Sequence, residues 1–421
     1  MATSTRLTLN DVCLAIVDCE HKTAPTQPEG HPSIRTPNVG CGRLILEGVN
    51  RVSDETYRQW TQRMEPMGGD LILAREAPIG NVAIIPKGLN VCLGQRTVLI
   101  RADRTKVLPE YLVYLMLGDE IQGRILSQSN GATVHHLNMK DIRALALPPL
   151  PSIEEQHRVA SILSAYDDLI ENNTRRIAIL EEMTRRIYEE WFVRFRFLGH
   201  EGVRMVESEL GLVPKGWSVA TVADVTDTLG GGTPSKSEPN YWTDGHINWY
   251  SPTDLTGAKT IFMEESSSKI TGLGLAKSSA RLFPLNSVMM TSRATIGVIA
   301  INTTAACTNQ GFITCIPSVR FPLWLLFHWL KANVGTFESL GTGATFKEIT
   351  KGVFRKIKLV VPPSTVVAIF EKIVAPMMDL VLCLERKNRN LRTTRDLLLP
   401  KLISGELDVS ALPEPEEAVA V

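Results

Sequence analysis

Between Ser152 and Phe192 the apolar residues recur every seven positions, in two interleaved series. One series is Leu163, Ile170, Ile177, Thr184 and Trp191, and the other is Tyr166, Asn173, Leu180 and Ile187. A narrow apolar seam that persists for about four heptads is typical of a helix that packs against another helix. The pattern therefore predicts one long helix over this stretch, with a partner helix along its seam.

A second segment with the same rhythm follows about 210 residues later. Its seam positions are Val374, Met377, Val381, Leu384, Asn388, Leu391, Arg395, Leu398 and Leu402. Each segment follows a proline pair, Pro148-Pro149 or Pro362-Pro363, and proline continues neither a strand ladder nor a helix. The predicted order is therefore globule, helix, globule, helix.

The two segments are predicted to pack as an antiparallel coiled coil, because two similar halves related by a pseudo-two-fold axis run their helices in opposite directions. The expected pairs are Asn173 with Asn388, which would set the register, Ile177 with Leu384, Leu180 with Val381, and Trp191 with Phe370. The alternative is that each stripe belongs to an ordinary amphipathic helix that packs on its own globule.

Both globules have patterns of short strands. In the first, the apolar runs LILAREA, NVAIIP and RTVLIRA are separated by glycine and proline, and an amphipathic helix is predicted from Pro109. LNVCLGQRTVLI and SNGATVHHL of the first globule are matched by AACTNQGFITCI and GTGATFKEI of the second, again about 210 residues apart. A period of this length indicates a duplicated domain, whose halves share a frame but differ in their loops.

The predicted fold class is α+β, with two mixed, strand-rich domains separated by the two long helices. The predicted divisions are residues 1–150 (first globule), 151–198 (first long helix), 199–212 (connector), 213–361 (second globule), 362–408 (second long helix) and 409–421 (disordered tail).

Composition narrows the class of protein. A chain of 421 residues with 44% hydrophobic content can bury the cores of two or three domains. Neither a signal peptide nor a membrane span is expected, and seven cysteines without a CxxC pair favour reduced thiols in the cytoplasm. The run from Asp18 to His21 lacks a second ligand pair, so no metal site is predicted.

Charge and missing motifs argue against a self-contained enzyme. Lysine plus arginine and aspartate plus glutamate both number 45, whereas a protein that binds DNA alone usually carries excess positive charge. The sequence has no GxxxxGK[ST] phosphate loop and no aromatic-flanked Pro-Pro methyltransferase motif, and Glu385-Arg386-Lys387 fits a solvated helix face better than a nuclease site. No catalytic residues are predicted.

Three stretches of the second globule carry a resemblance to a known family. GLVPKGW at 211–217, LGGGTPSKSEPNYW and INWYSPTDL resemble the opening of a target recognition domain in the specificity subunits of type I restriction-modification systems. PSIEEQHRVASIL, with Asp167-Asp168 after it, resembles the central spacer helix of these subunits. Two departures are Val366-Val367 in place of Glu155-Gln156, and a first globule that lacks the GGTP loop.

The resemblance implies a non-catalytic protein in which each recognition domain reads one half of a split target in double-stranded DNA through the major groove. It implies that the helices set the gap between the half-sites. Two methylation subunits would dock on the chain, and motor-nuclease subunits can join. No cofactor is expected on this chain, whereas S-adenosylmethionine is expected on the methylation subunits.

Base-reading residues should be polar, lie on loops and be able to make hydrogen bonds to base edges. In the first domain we predict His21, Lys22, Thr23, Arg75, Gln95, Arg96, Asn130, Thr133 and His135. In the second we predict Thr233, Ser235, Lys236, Tyr250, Ser251, Arg293, Asn309, Gln310 and Lys347.

Two other functions remain open on the sequence. A scaffold whose globules bind proteins would show no sequence-selective DNA binding, even with methylation partners present. A self-contained modification enzyme would transfer methyl groups to DNA without a partner.

Overall fold

The computed structural model describes residues 6–129, 136–258, 260–343 and 345–412. The chain divides into two compact units. The first unit comprises Met1–Asn172 and Asn388–Val421, and the second comprises Asn173–Lys387. This division by packing differs from the predicted division along the sequence, because each long helix contributes one part to each unit.

The strands of the first unit come early in the chain. They are β1 (Cys13–Asp18), β2 (His31–Ile34), β3 (Gly42–Arg43), β4 (Arg51–Val52), β5 (Leu71–Ala74), β6 (Val82–Ile84), β7 (Cys92–Leu93) and β8 (Thr97–Ala102). The larger sheet has the order β1-β8-β5-β6-β3, antiparallel except for the parallel pair β3 and β6. The smaller sheet has the order β4-β2-β7, in which β2 and β7 are parallel.

The helices of the first unit are α1 (Asp54–Trp60), α2 (Pro109–Leu117), α3 (Asp119–Gln128), α4 (Met139–Arg143) and the first part of α5 (Ile153–Tyr188). The amphipathic pattern after Pro109 thus forms two helices, not the single helix that we predicted. Gly118 takes an extended conformation between them. The core joins apolar residues of the larger sheet to α2 and to the start of α5, through Leu71, Ile100, Leu112 and Leu163.

The second unit begins with strands β9 (Met205–Ser208) and β10 (Gly211–Pro214), which form a hairpin in the stretch that we predicted to be a connector. Its other strands are β11 (Ser218–Thr221), β12 (Asp227–Gly230), β13 (Ile247–Tyr250), β14 (Phe262–Met263), β15 (Ser268–Ile270), β16 (Val288–Thr291), β17 (Ile299–Asn302), β18 (Ala306–Thr308), β19 (Phe312–Ile316) and β20 (Lys358–Val361).

The helices of the second unit are α6 (Val222–Val225), α7 (Pro252–Ala258), α8 (Gly272–Ala276), α9 (Leu323–Ala332), α10 (Val334–Leu340), α11 (Lys351–Arg355) and the first part of α12 (Ser364–Ile403). Its larger sheet has the order β12-β19-β16-β17-β14 and its smaller sheet the order β15-β13-β18. Strand order and direction match the sheets of the first unit, with β14 parallel to β17 and β13 parallel to β18.

Buried positions on α12 recur at steps of three or four residues from Val367 to Asn388. On α5 the buried seam residues are Leu163, Asn173 and Thr184, and Trp191 follows in a π-helical turn at Glu189–Val193. On α12 the structure corrects one seam position, because Met378 is fully buried whereas the predicted Met377 is only half-buried. A helix with 3.6 residues per turn drifts from a strict seven-residue repeat, which shifts the seam to a neighbouring residue.

Contacts between α5 and α12 run antiparallel in each unit taken by itself. In the second unit, the hydroxyl of Thr184 lies 3.6 Å from the sulfur of Met378, and the rings of Trp191 and Phe370 are 6.1 Å apart, which agrees with that predicted pair. In the first unit, Asp167 pairs with Arg395.

In the described part of the chain, no helix is both long and apolar enough to span a membrane.

Candidate nucleic-acid interface

Most of the predicted base-reading residues lie at one end of the larger sheet of their unit. In the second unit β12 and β16 end where β19 begins, because β19 is antiparallel to both. The loops at 231–237, 292–298 and 309–311 therefore meet at one end of the sheet, together with residues 341–343 and 345–349; we call them the second rim. The equivalent first rim consists of residues 19–23, 75–81 and 94–96 of the first unit.

Equivalent backbone hydrogen bonds hold both rims. In the first, the Arg75 amide donates to the Arg96 carbonyl and the Leu137 amide to the Arg75 carbonyl, both at 3.0 Å. In the second, the Ser292 amide donates to the Gly311 carbonyl at 2.8 Å, and the Ile349 amide to the Ser292 carbonyl at 3.0 Å. Because the bonds involve only the main chain, the side chains are free to differ between the rims.

Asp18, at the end of β1, organises the first rim. Its carboxylate lies 2.8 Å from the Arg75 guanidinium and 2.9 Å from His21 Nε2. The Gln95 amide in turn donates to the His21 carbonyl at 3.1 Å. His21 is exposed, whereas Arg75 is largely buried, so Arg75 serves mainly to hold Asp18, which in turn orients the His21 ring at the surface of the rim.

The remaining predictions in the first unit fall into two groups. Lys22 and Thr23 are exposed, and Arg96 is exposed while its guanidinium lies 2.9 Å from Glu76. The predicted residues Asn130, Thr133 and His135 lie outside the described residues.

Asp18, Cys19 and His21 bring three potential metal ligands within 4.8 Å of one another. The geometry is better explained by hydrogen bonding. The Asp18 carboxylate is already neutralised by Arg75 and accepts from the Cys19 amide at 3.0 Å. A cation at this point would also lie close to the Arg75 guanidinium, which would repel it.

Two indoles hold the glycine-rich loop of the second rim. Trp249 Nε1 donates to the Gly232 carbonyl at 2.9 Å, and Trp242 Nε1 donates to the Ser235 carbonyl at 3.0 Å. A Cβ atom on Gly231 would lie 2.0 Å from the Asn309 carbonyl oxygen, so only glycine fits there. The loop that carries Thr233, Ser235 and Lys236 is therefore fixed from both sides.

The structure brings several predicted residues of the second rim together. The Thr233 hydroxyl donates to Gln310 Oε1 at 2.6 Å, and the Asn309 side-chain oxygen accepts from the Gly311 amide at 2.8 Å. Gln310 is exposed, as are Ser235 and Lys236. The amide group of Gln310 is thus oriented by Thr233 and can offer its Nε2 donor outwards.

A second group of rim residues surrounds Glu348. Arg293 pairs with it in a backbone bridge, and their side-chain charges lie 3.8 Å apart. The Ala294 amide donates to the Lys347 carbonyl at 2.9 Å. The side chains of Arg293 and Lys347 are exposed, which leaves two cationic groups at the surface of the rim.

Tyr250 is a wrong prediction. Its side chain is fully buried, and its hydroxyl donates to the Met263 carbonyl at 3.2 Å. It ends β13 with its ring in the core, so contact with a base would require the sheet to open. Its neighbour Ser251 is half-buried and donates to Asp254 at 2.5 Å at the start of α7, which favours a structural role.

The residues predicted to set the helix register are buried or half-buried. Val381 and Leu384 are buried, and Ile177 and Leu180 pack against the core of the second unit. Asn173 and Asn388 are both buried but belong to different units, and Asn388 lies 3.4 Å from the Ile170 carbonyl. The pairings Asn173 with Asn388, Ile177 with Leu384, and Leu180 with Val381 remain predictions.

Sequence reasoning missed three kinds of residue at the rims. Asp18 was passed over because only base-reading side chains were sought, although it orients one of them. Trp242 and Trp249 lie in the quoted motifs EPNYW and INWY, but their loop-holding role follows only from the fold. Phe346, in the GTGATFKEI segment, was excluded because it is not polar.

The chain belongs to the family of type I restriction-modification specificity subunits, because the family model for the type I restriction modification DNA specificity domain matches it over residues 52–182 and 214–388. It is 26% identical over 377 residues to the type I restriction enzyme MjaIX specificity subunit of Methanocaldococcus jannaschii, an alignment that covers 87% of this chain and 84% of the relative. The HindI specificity subunit of Haemophilus influenzae is 22% identical over 401 residues, covering 80% of this chain and 86% of that protein.

A solved structure has the same fold. The type I restriction-modification system S subunit of M. genitalium superposes with a TM-score of 0.62 at 15% sequence identity, covering 94% of this chain and 95% of that chain.

Proposed function

We propose that each rim of this specificity subunit reads one half of a split DNA target. The observation that carries the proposal is the equivalent main-chain frame of the two rims, on which different polar side chains are displayed. A fixed frame with exchangeable side chains suits direct readout, because hydrogen bonds to base edges require donors and acceptors at set positions. The first rim would read through His21 and Gln95, and the second through Gln310, with Arg293 and Lys347 contacting the phosphates beside it.

The two units would be copies of one duplicated domain, and α5 and α12 would form an antiparallel coiled coil that sets the distance between the half-sites. The identical strand orders and the antiparallel contacts within each unit support this arrangement. The 36 residues of α5 correspond to about 54 Å at 1.5 Å per residue. This exceeds the roughly 34 Å between half-sites one DNA turn apart, so the helix is long enough to act as the spacer.

The chain would act with partners rather than alone. The chain has no excess of basic over acidic residues with which to neutralise phosphates. Two methylation subunits would therefore supply much of the electrostatic contact with DNA. S-adenosylmethionine would bind to those subunits, and motor-nuclease subunits would join for restriction. The complex would work in the cytoplasm, where seven free cysteines remain reduced.

The direct test is genome-wide detection of methylated adenine in cells that carry the chain and its neighbouring methylation subunit. We expect a split motif that disappears when the gene for this chain is deleted. Unchanged methylation, in a host where the complex is shown to assemble, would favour the alternative of a protein-binding scaffold.

A domain exchange tests the division of labour between the rims. Replacing residues 213–361 with the equivalent domain of a relative should change one half of the methylated motif and leave the other half unchanged. If both halves changed, neither rim would read its half-site independently.

A further inference from the structure

One aromatic side chain differs from all others in its exposure. Every phenylalanine, tyrosine and tryptophan of the chain lies within the described residues, and among them Phe346 alone is exposed, with 59% of its surface accessible. Leaving a phenylalanine in water forgoes the free energy that burying its ring would contribute. The exposure is therefore informative, the more so because Phe346 lies on the second rim.

The main chain holds Phe346 in place. Thr342 and Glu348 exchange two backbone hydrogen bonds, at 3.0 and 2.8 Å, which close the loop that carries it. Gly343 adopts φ +132°, and a Cβ atom there would lie 2.2 Å from the Phe346 carbonyl oxygen. Only glycine therefore fits at position 343. The two backbone hydrogen bonds hold the ends of the loop from which the phenyl ring projects.

The neighbours of Phe346 are cationic. Lys347 follows it directly. Arg293 forms a backbone bridge and an ion pair with Glu348, at the end of the same loop. Cations of this kind would contact phosphates on DNA and bring the loop to the groove. The major groove is about 12 Å wide and admits an α-helix or a two-stranded ribbon, so it is wide enough for a single loop.

We propose that Phe346 contacts the C5-methyl group of a thymine in the half-site read by the second rim. This inference rests on the proposed function and adds a specificity residue to it. In the major groove the thymine methyl is the apolar group among base edges that otherwise offer hydrogen-bond donors and acceptors. Apolar contact between a phenyl ring and this methyl group favours thymine over the other bases at that position.

The test uses the complete complex of this chain with its methylation subunits, and duplexes that carry its own methylation motif. Each thymine of the second half-site is replaced in turn by deoxyuridine, which lacks only the methyl group. Binding to each duplex is measured for the wild type and for Phe346→Ala, with a scrambled duplex as reference. For the wild type we expect one replacement to weaken binding by about four- to tenfold, while Phe346→Ala binds both duplexes equally and weakly.

Controls separate this result from other causes. Val353→Ala removes an exposed apolar side chain outside the rim and should leave the deoxyuridine effect unchanged. Lys347→Ala should weaken binding to every duplex by the same factor and preserve the effect. Thermal unfolding checks that Phe346→Ala is folded, which we expect because no cavity is left by removing an exposed ring.

Three outcomes would overturn the inference. The first is a wild-type response to deoxyuridine that persists in Phe346→Ala. The second is a Phe346→Ala variant whose binding weakens by the same factor on each thymine duplex and on its deoxyuridine counterpart. Such a result would show no coupling between the ring and a thymine methyl at any position. The third is loss of the methylation subunits from the Phe346→Ala complex, which would assign the ring to a protein contact. Failure of the wild type to prefer its motif over the scrambled duplex would instead refute the proposed function itself, and the inference with it.

Discussion

The two units have the same strand order but differ in the side chains that pack between their long helices. In the first, the buried Asp167 on α5 pairs with Arg395 on α12 and accepts from the Tyr114 hydroxyl at 2.7 Å. In the second, the rings of Tyr188, Trp191 and Phe370 pack against one another along the two helices.

The difference shows what this fold requires of the helix pair. The interior of a folded domain is close-packed, so the space beside the long helices must be filled by side chains. Aromatic rings can fill it, and so can a polar network in which every group is hydrogen-bonded. The polar solution depends on every partner being present, whereas the aromatic solution depends on volume. The two units should therefore respond to different perturbations.

Phe370→Ala tests the aromatic side of the comparison and should have the largest effect. Phe370 is fully buried, with the Phe192 ring at 4.8 Å, and its truncation should lower the free energy of unfolding of the second unit by about 4 kcal/mol. Urea denaturation followed by tryptophan fluorescence measures it, because every tryptophan except Trp60 lies in the second unit. Ile369→Ala, the exposed neighbour, should cost less than about 1 kcal/mol.

Asp167→Ala tests the polar side. It leaves Arg395 and the Tyr114 hydroxyl without their buried partner and should lower the free energy of unfolding of the first unit by about 3 kcal/mol. Hydrogen exchange in α2 and the start of α5 measures the effect. Asp167→Leu combined with Arg395→Met should recover much of the loss, and a double variant as unstable as the single one would contradict the account.

The units also differ in how a long helix holds the N-terminus of the helix beside it. Gln156 on α5 accepts from the Leu108 amide at 2.8 Å, just before α2. Glu371 on α12 accepts from the Trp324 and Leu325 amides of α9, at 3.1 and 3.0 Å. Burial raises the pKa of Glu371 to about 7 from its ordinary 4.5, against the opposing effect of those two hydrogen bonds.

This contrast predicts a pH effect confined to the second unit. Between pH 4.5 and about 7 the folded chain keeps the Glu371 proton that the unfolded chain releases, so the contribution of Glu371 to the free energy of unfolding falls as pH rises through this window. We expect this contribution to decrease by about 2 kcal/mol. Urea denaturation of the wild type and of Glu371→Gln across this range measures it as the difference between the two proteins, because buried His328, whose pKa is lowered to about 3, gives a slope of opposite sign in both. A difference that does not change with pH would contradict the assignment to Glu371.

The smallest expected effect compares the rims themselves. Lys22→Ala in the first and Lys347→Ala in the second should each weaken binding of the assembled complex to DNA by about 1 kcal/mol or less, and lower the salt dependence by about one counterion. Fluorescence anisotropy at several salt concentrations measures both. Lys87→Ala is the control, because this exposed lysine follows β6 at the opposite end of the sheet.

Part of the site could be predicted because its residues are polar and lie between apolar runs. This reasoning found Thr233 and Gln310, which the fold places 2.6 Å apart. It failed for Tyr250, whose polar hydroxyl suggested a surface role although its ring completes the core. Residue type alone does not distinguish these cases, because the side on which a strand-end residue points depends on the pairing of its strand.

The elements whose pattern is local and periodic can be predicted from the amino-acid sequence alone. The heptads on either side of Leu180 and Leu391 predict the long helices, and the anchors repeated about 210 residues apart predict two similar domains. Apolar periodicity predicts such elements because it shows which face of a helix or strand is buried in the core.

Contacts between residues that are far apart along the chain become visible only in the three-dimensional fold. It placed Asp18 against Arg75, Trp249 under the glycine-rich loop and Phe346 in solvent. It also chose Met378 over Met377 for the helix seam. Such contacts join residues far apart in sequence, and their free energies depend on the packing of neighbours that no local pattern encodes.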